Sequence, residues 1–390
     1  MAILSKNVRL LGWASLLNDI ASEMTFPLLP KFLKDVLGGT ATDLGAIEGL
    51  ADSTASLLKL WSGSWSDRAQ QRKRFVVAGY ALTTLVRPLA GLATMPWHLV
   101  ATRLTDRVGK GIRTTPRDAL IAESTEPRNL GWAFGYARAM DHLGASIGPL
   151  AAAGFLMLAP HDAASLRWLF LLTLVPGLMV VALLVLGLEE KSHTATAARP
   201  FTLSLRGFDS NFKRFLLAML VFTLGNSSDA FLLVRAGELG VAETQLPLLW
   251  LALHLVKSSG SVAAGAVVNR FGARRMIFAG WAIYAGVYLA FAYIASAWQV
   301  WTLFLIYGLY YALTEPVEKK LVADLAGAEH KGLAYGWYNF VIGLSALPAS
   351  LLFGWLYDAH GALAAFGFGA AMAAAAALLL AMVKEPSGHG

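Results

Sequence analysis

The chain has 390 residues and a formal net charge of +7; 56% of its residues are hydrophobic and 15% are charged. Its mean hydropathy of +0.55 excludes a soluble two- or three-domain protein of this length and predicts an integral membrane protein. The sequence contains no cysteine, which excludes disulfides, thiolate nucleophiles and cysteine-ligated metal sites.

Apolar runs of the length that spans a bilayer, about 20 residues, recur along the whole chain. Twelve such runs lie at 9–33, 43–66, 74–94, 97–121, 129–158, 166–187, 211–236, 243–267, 275–295, 298–322, 331–357 and 362–383. The first run is too long for a cleavable signal peptide and lacks a small-residue cleavage site, so we expect it to be the first spanning helix. The predicted fold class is an all-α membrane protein with twelve transmembrane helices.

Lysine and arginine are concentrated in the turns that follow even-numbered runs. Those turns carry Arg68, Arg72, Lys73, Arg74, Arg128, Lys191, Arg199, Arg206, Lys213, Arg214, Arg270, Arg274, Arg275 and Lys331. The positive-inside rule places this side, and with it both termini, in the cytoplasm. The same asymmetry accounts for the net charge, so no nucleic-acid partner is expected.

A polar stretch at 189–210 contains an Ala-Thr tract and divides six predicted helices from six. Such a composition is typical of a linker. We therefore expect an N-terminal six-helix half at 1–188, a cytoplasmic linker at 189–210 and a C-terminal six-helix half at 211–390.

The two halves share sequence features at equivalent places. Matching residues in the turns after runs two and eight are Gly63, Asp67, Arg68, Arg72 and Lys73 in the first and Gly265, Asn269, Arg270, Arg274 and Arg275 in the second. Thr114 and Pro116 in run four likewise match Thr314 and Pro316 in run ten. These correspondences indicate an internal duplication, so the halves should have one topology.

The repeated turn resembles the loop after the second helix in each half of the major facilitator superfamily, in which a glycine, three variable residues, aspartate and arginine precede a basic pair. Here the basic pair comes one residue late, and Gln70 stands at a usual glycine. The resemblance implies two pseudo-symmetric six-helix bundles with a substrate site between them near mid-membrane. It also implies a gating role for Gly63, Asp67, Arg68, Arg72, Lys73, Asn269 and Arg270. Alternatively, the basic residues serve only the positive-inside bias.

Run four carries an unusual charged stripe. At about 100° per residue, one sector of roughly 140° holds Arg103, Asp106, Arg107, Lys110, Arg113, Arg117 and Asp118. Because a charge in the bilayer centre costs a few kcal/mol or more, this face should line a polar cavity. We expect Arg103, Arg107 and Lys110 to contact substrate, and Arg113 and Arg117 to join Asp67 in the cytoplasmic gate.

Run five contains Gly144, Gly148 and Pro149, which resemble the antiporter signature of the superfamily, although Ala152 and Ala153 replace its final glycines. Small residues four apart let two helices approach closely, and proline removes a backbone hydrogen bond, so we expect a bendable gating seam. Preceding this seam are Arg138, Asp141 and His142; these are candidate substrate contacts, or Arg138 simply pairs with an acid.

Run one carries Asn18, Asp19 and Glu23. The two acids are four residues apart and share one face, so we expect them to carry protons and Asn18 to contact substrate. The alternative is permanent pairing of these acids with arginines of runs four and five.

Polar residues of the second half complete the candidate site. We expect Asn226, His254 and Lys257 to contact substrate and Asp229 and Glu315 to carry protons; Glu315 precedes a proline that marks a bend. No phosphate-binding glycine loop, two-histidine zinc spacing or hydrolase serine elbow is present. We therefore expect no enzyme activity, no catalytic residue, no metal and no cofactor, with a proton gradient as the energy source.

Together these features predict a monomeric secondary transporter of the bacterial inner membrane that moves a small organic solute by alternating access. The run-five seam and the acids favour proton-coupled antiport and efflux, and the net-positive stripe favours an anionic group on the solute. The alternatives are proton-coupled uptake of an organic anion or metal chelate, a channel, and a sensor that binds without translocating.

Overall fold

The computed structural model describes residues 4–69, 71–126, 130–160, 162–190, 205 and 207–384, with a few helical side chains in these ranges left undescribed. All regular structure in these ranges is helical. The helices are α1 (Lys6–Glu23), α2 (Ala41–Ala69), α3 (Arg72–Leu92), α4 (Pro96–Glu123), α5 (Leu130–Leu158), α6 (Ala163–Gly187), α7 (Ser210–Glu238), α8 (Leu246–Phe271), α9 (Ala273–Tyr293) and the run α10 (Ala297–Ala381).

The run α10 folds into three legs. At 1.5 Å per residue a straight helix of 85 residues would be about 128 Å long, several times a bilayer. The Tyr338 hydroxyl instead donates to Glu318 at 2.8 Å, and the rings of Phe353 and Phe366 lie 5.1 Å apart, so the chain reverses twice. The second reversal contains Gly361 at φ +79°, a left-handed conformation that favours glycine.

We call these segments the first leg (297–326), the second leg (333–360) and the third leg (362–381). Together with α1 to α9 they give twelve helical segments in the described part of the chain. This confirms the predicted all-α fold class.

Two predicted runs are interrupted by local chemistry. The first run ends as a regular α-helix at Glu23 and continues to Val36 in short helical turns, because Pro27 and Pro30 cannot donate ladder hydrogen bonds. The run at 211–236 is broken between Gly225 and Ala230. There the sequence Gly-Asn-Ser-Ser-Asp is poor in helix formers.

Five helical segments of the described chain are long and apolar enough to cross a membrane with at most two charged residues in the window. They are Arg72–Leu92, Ala163–Gly187, Ser210–Glu238, Ala273–Tyr293 and Leu333–Ala381. The charged stripe keeps α4 out of this set, as expected for a helix with one polar face. The start of α6 is capped by Asp162, which accepts the Ser165 amide at 2.8 Å; this hydrogen bond lowers the pKa of the Asp162 carboxyl.

The described contacts divide the chain into two units. The first unit comprises 1–39, 50–200 and 243–251, and the second comprises 40–49, 201–242 and 252–390. Each unit thus includes the start of a helix, α8 or α2, whose remainder belongs to the other unit.

The core of the first unit is formed by α1, α3, α4, α5 and α6. Its fully or almost fully buried side chains include Leu11, Tyr80, Leu120, Ala133 and Leu184. Burial of these side chains fixes the position of α1 relative to α4. The two helices carry most of the charged candidate residues of this unit.

The second unit has an aromatic core. The rings of Phe222 and Trp281 stack at 4.6 Å and 6° between planes, and Tyr284 stacks on Tyr288 at 4.0 Å. At the start of α2, the Asp358 carboxylate of the second leg accepts the amides of Ala41 at 3.0 Å and Thr42 at 2.7 Å. Asp358 therefore caps a helix that is distant in sequence.

Close packing of α3 on α4 depends on two glycines. A Cβ atom at Gly109 would lie 2.7 Å from both the Gly79 carbonyl oxygen and a methyl carbon of Thr83. We expect Gly109→Val to destabilise the protein by about 1–3 kcal/mol through overpacking, measured as a fall in melting temperature. The matched control is Gly154→Val, because a Cβ there meets nothing within 4 Å; equal melting temperatures for the two variants would contradict this packing.

Candidate functional site

A buried ion pair in the first unit joins α3 to α4. Arg87 Nη2 lies 2.9 Å from Asp106 Oδ1, and the two side chains are 11% and 3% exposed. The same guanidinium group donates to the Asn18 carbonyl at 3.2 Å and to Asn18 Oδ1 at 3.4 Å. Arg87 thus connects α1, α3 and α4 at one point.

Arg87 was missed by the sequence analysis. It lies inside the third apolar run, directly before Pro88, where α3 tightens into the 3₁₀ turn Arg87–Leu92. An arginine within a spanning run beside a proline is a signal for a functional or paired charge.

The outer part of the α4 stripe lies against aromatic and acidic groups. Arg103 is placed over the ring of Phe26, 5.4 Å from its centroid. Arg107 Nε lies 3.9 Å from Asp52 Oδ1, and Lys110 is exposed. These three predicted substrate residues therefore lie on one helix face that also meets α2 and the segment after α1.

The inner part of the stripe is packed more tightly. Arg113 is buried over the ring of Tyr80 at 4.3 Å. Arg117 donates to Ser15 Oγ at 2.7 Å and lies 3.6 Å from Asp141, which also faces Arg138 at 3.7 Å. Arg117 also pairs with Asp118 of its own helix at 3.0 Å, so the described contacts of Arg113 and Arg117 are with α1, α3, α4 and α5. Asp141 shares its charge between two arginines.

The predicted seam of α5 packs on α1. A Cβ at Gly144 would lie 3.0 Å from the Asp19 Cβ, and one at Gly148 would lie 2.8 Å from the Ile20 carbonyl oxygen. Pro149 follows within the same helix. The two glycines thus let α5 approach α1 at the turns that carry its acids.

The acids of α1 have neutral donors beside them. Asp19 Oδ1 accepts from the side-chain amide of Asn18 at 2.9 Å. Glu23 Oε2 accepts from the indole N–H of Trp250 at 2.8 Å, and Trp250 packs on Phe26 with ring centroids 4.8 Å apart. Trp250 was missed because its contact with α1 joins residues more than two hundred positions apart.

The second unit surrounds Asp229 with tyrosines. Where α7 is interrupted, Asp229 Oδ1 accepts from the Tyr307 hydroxyl at 2.6 Å and Oδ2 from the Tyr311 hydroxyl at 2.7 Å. Asn226 donates to the Tyr310 hydroxyl at 3.3 Å. The tyrosines were counted only as apolar residues in the sequence, so their role as donors was missed.

Beside this cluster, Lys257 of α8 makes two contacts with the first leg. Its Nζ lies 3.1 Å from Glu315 Oε2 and 4.1 Å from the centroid of the Tyr311 ring. His254 is half-buried on the same helix, and His142 of α5 is half-buried in the first unit. The structure thus brings Asn226, Asp229, Lys257 and Glu315 together around Tyr310 and Tyr311.

The basic turn after α2 is described only in part. Arg72 pairs with Glu123 at the end of α4, and the Lys73 amide donates to Glu190 at 2.9 Å. Arg270 is exposed and lies over the ring of Phe271 at 5.6 Å. The surroundings of Gly63 and the side chains of Asp67, Arg68 and Asn269 are not described, so the predicted latch at Asp67 stays a prediction.

Comparison with known families decides the class of the protein. The sequence profile described as Major Facilitator Superfamily matches residues 11–234 and 215–390. The chain belongs to this superfamily. Secondary transport of small molecules is the activity that the superfamily fold supports, and the chain is accordingly a multi-pass membrane protein.

The relatives align with most of the chain. An uncharacterized MFS-type transporter of Methanocaldococcus jannaschii is 33% identical over 97% of this chain and 95% of its own length. The multidrug resistance protein MdtH of Photorhabdus laumondii is 25% identical over 87% of this chain and 84% of its own. A solved structure of a mutant of the nucleoside transporter NupG superposes with a TM-score of 0.84 at 12% identity, covering 97% of this chain and all of that one, which shows a shared fold.

Proposed function

We propose that the protein is a proton-coupled antiporter that exports a small organic solute bearing an anionic group. The observation that carries this proposal is the packing of the α5 glycines on α1 at the turns that bear Asp19 and Glu23. Because α5 contacts α1 at Asp19 and Glu23, protonation of either acid can change how the two helices pack. The relative MdtH, described as a multidrug resistance protein, supports export.

The coupling groups predicted from sequence are Asp19 and Glu23, which lie in the first unit, and Asp229 and Glu315, which lie in the second. Asp19 and Glu23 accept hydrogen bonds from the neutral donors Asn18 and Trp250. Asp19 and Glu23 lie one helical turn apart on α1, and two neighbouring carboxyl groups can share and exchange a proton. Such acids are therefore suited to exchange protons during a transport cycle.

The proposed solute contacts lie on the α4 stripe. Arg103, Arg107 and Lys110 give this face more positive than negative charge once Asp106 is assigned to Arg87. An anionic group on the solute would offset the cost of holding these cations in the membrane. Arg138 and His142 extend the same charged region along α5.

The remaining elements of the proposal follow from sequence. We place the protein in the bacterial inner membrane with both termini in the cytoplasm, and we take 189–210 as the linker between the halves 1–188 and 211–390. We expect a monomer without enzyme activity whose transport is energised by the proton gradient alone. The basic turns, with Asp67, would form the cytoplasmic gate.

A transport assay tests the coupling. Thermal stabilisation of the purified protein by a panel of organic anions, cations and neutral compounds first selects a solute, because a ligand of the native state raises apparent stability. In proteoliposomes, an imposed pH gradient is expected to drive that solute across the membrane in the wild type. Asp19→Asn and Glu23→Gln should each reduce this gradient-driven flux at least tenfold while leaving solute binding in place.

The control is Asp162→Asn, which keeps the cap of α6 and lies outside the charged clusters. Undiminished gradient-driven flux in both α1 variants would contradict their role as proton carriers. Counterflow distinguishes the other classes: preloaded solute accelerates entry of labelled solute through a carrier, whereas a channel or a non-transporting sensor shows no acceleration.

Uptake of an organic anion with protons is the second candidate, favoured by the basic α4 stripe. The direction of flux in the same assay separates it from export. Accumulation with the proton flow indicates symport, and accumulation against it indicates antiport.

A further inference from the structure

Glu318 of the first leg is a buried acid that the proposed transport cycle has not used. It is 6% exposed and lies two residues after Pro316 within the leg. Its carboxylate accepts from the Tyr338 hydroxyl of the second leg at 2.8 Å and from the Trp281 indole of α9 at 3.3 Å. Both donors are neutral.

Two acids that can be compared with Glu318, Asp106 and Glu315, lie beside cations. Asp106 is 2.9 Å from Arg87, and Glu315, three residues before Glu318, is 3.1 Å from Lys257. Among the described residues, no lysine, arginine or histidine nitrogen lies within ion-pair distance of Glu318. A cation stabilises the ionised form of its partner, so these paired acids are held ionised, whereas Glu318 lacks that constraint.

The surroundings of Glu318 suit both protonation states. Two neutral donors stabilise an ionised carboxylate, and a protonated carboxyl can donate to the Tyr338 phenol oxygen instead. Without a cation, burial favours the neutral form. The titratable groups near Glu318 are Tyr310, Glu315 and Lys319 of its own leg and Tyr338 of the second leg, while α9 contributes the non-titrating Trp281.

Glu318 is followed along the first leg by charged residues. Lys319, the next residue, is exposed, and Lys320 pairs with Asp324 at 2.5 Å on the exposed side of the leg. Glu318 therefore lies within about two helical turns of three charged side chains, and long lysine side chains near the end of a spanning helix extend toward the membrane surface.

From these contacts we propose that Glu318 binds and releases a proton in the second unit and is the carrier on the first leg, in place of the cation-paired Glu315. This inference rests on the proposed proton coupling. It also assigns positioning roles to Tyr338 and Trp281, which hold the carboxyl group in both states.

Infrared spectroscopy of the reconstituted protein tests the proposal without any solute. At neutral pH, subtracting the spectrum of Glu318→Gln from that of the wild type is expected to leave the C=O stretching band of a protonated carboxyl group. The same subtraction for Glu315→Gln is expected to leave the band of an ionised carboxylate. Tyr338→Phe should shift the frequency of the Glu318 band, because its hydrogen-bond partner is lost.

An ionised-carboxylate band lost in Glu318→Gln, or a protonated band lost in Glu315→Gln instead, would overturn the assignment. Glutamine has the shape of protonated glutamate, so a wild-type melting temperature confirms that the variant is folded. Because the spectra need no transported solute, failure of the transport assay would count against the proposed function and leave this result standing.

Discussion

Arg87→Leu is expected to lower the free energy of unfolding by about 3–5 kcal/mol, the cost of removing one partner of a buried ion pair. The substitution leaves Asp106, 2% exposed, without the guanidinium group that lies 2.9 Å from it. It also removes the donor to Asn18 on α1, so the junction of three helices is weakened. A large fall in the melting temperature of the purified protein measures this effect.

The double variant Arg87→Leu with Asp106→Asn isolates the charge. Neutralising Asp106 removes the uncompensated carboxylate, so the double variant is expected to be more stable than Arg87→Leu alone, a non-additive result typical of interacting residues. Additive losses would show that Arg87 acts through packing and through Asn18, and that the ion pair contributes little.

Periodicity and composition were sufficient to predict the twelve helical segments. A helix that crosses the bilayer must be apolar over about twenty residues, and the mean hydropathy over that length detects it. The α4 stripe was visible for a related reason: seven charged side chains on one sector cannot all meet lipid. Hydropathy does not show where the chain reverses within α10. Those reversals depend on local turns, such as the one at Gly361 with φ +79°, and a mean over about twenty residues does not resolve them.

Partners of the charged residues could not be predicted, because they come from helices distant in sequence. Arg87 reaches Asp106 and Asn18 only when α1, α3 and α4 pack together. Glu23 meets Trp250 across 227 positions. A single sequence indicates which face of each helix is apolar or charged, but it does not indicate which faces of different helices pack together.

Part of the site was also missed because tyrosine and tryptophan were counted as apolar residues. Tyr307, Tyr310 and Tyr311 raise the apolar content of the first leg, and in the structure two of their hydroxyls hold Asp229. Tyrosine is both an apolar ring and a donor, so a hydropathy scale records only half of its chemistry. The same applies to Trp281 and Tyr338 around Glu318.

The second large effect is expected at the break in α7. Asp229→Ala removes the acceptor of both the Tyr307 and Tyr311 hydroxyls, which donate at 2.6 and 2.7 Å. A buried hydroxyl left without a partner costs about 1–3 kcal/mol. If both hydroxyls were fully buried, the variant would lose about 2–6 kcal/mol of stability, and this is the upper limit of the expected effect. Tyr307 is fully buried and Tyr311 is partly buried, so more of the loss should come from Tyr307, measured as a lower melting temperature.

This difference in burial makes the prediction specific, because rescue should be unequal. In the Asp229→Ala background, Tyr307→Phe removes a hydroxyl that has no access to water, and the melting temperature should rise. Tyr311→Phe in the same background should raise it less, because the Tyr311 side chain is less buried than that of Tyr307. Equal rescue by both, or by neither, would show that Asp229 stabilises the second unit through the backbone at the α7 break, where the chain has no helical ladder between Gly225 and Ala230.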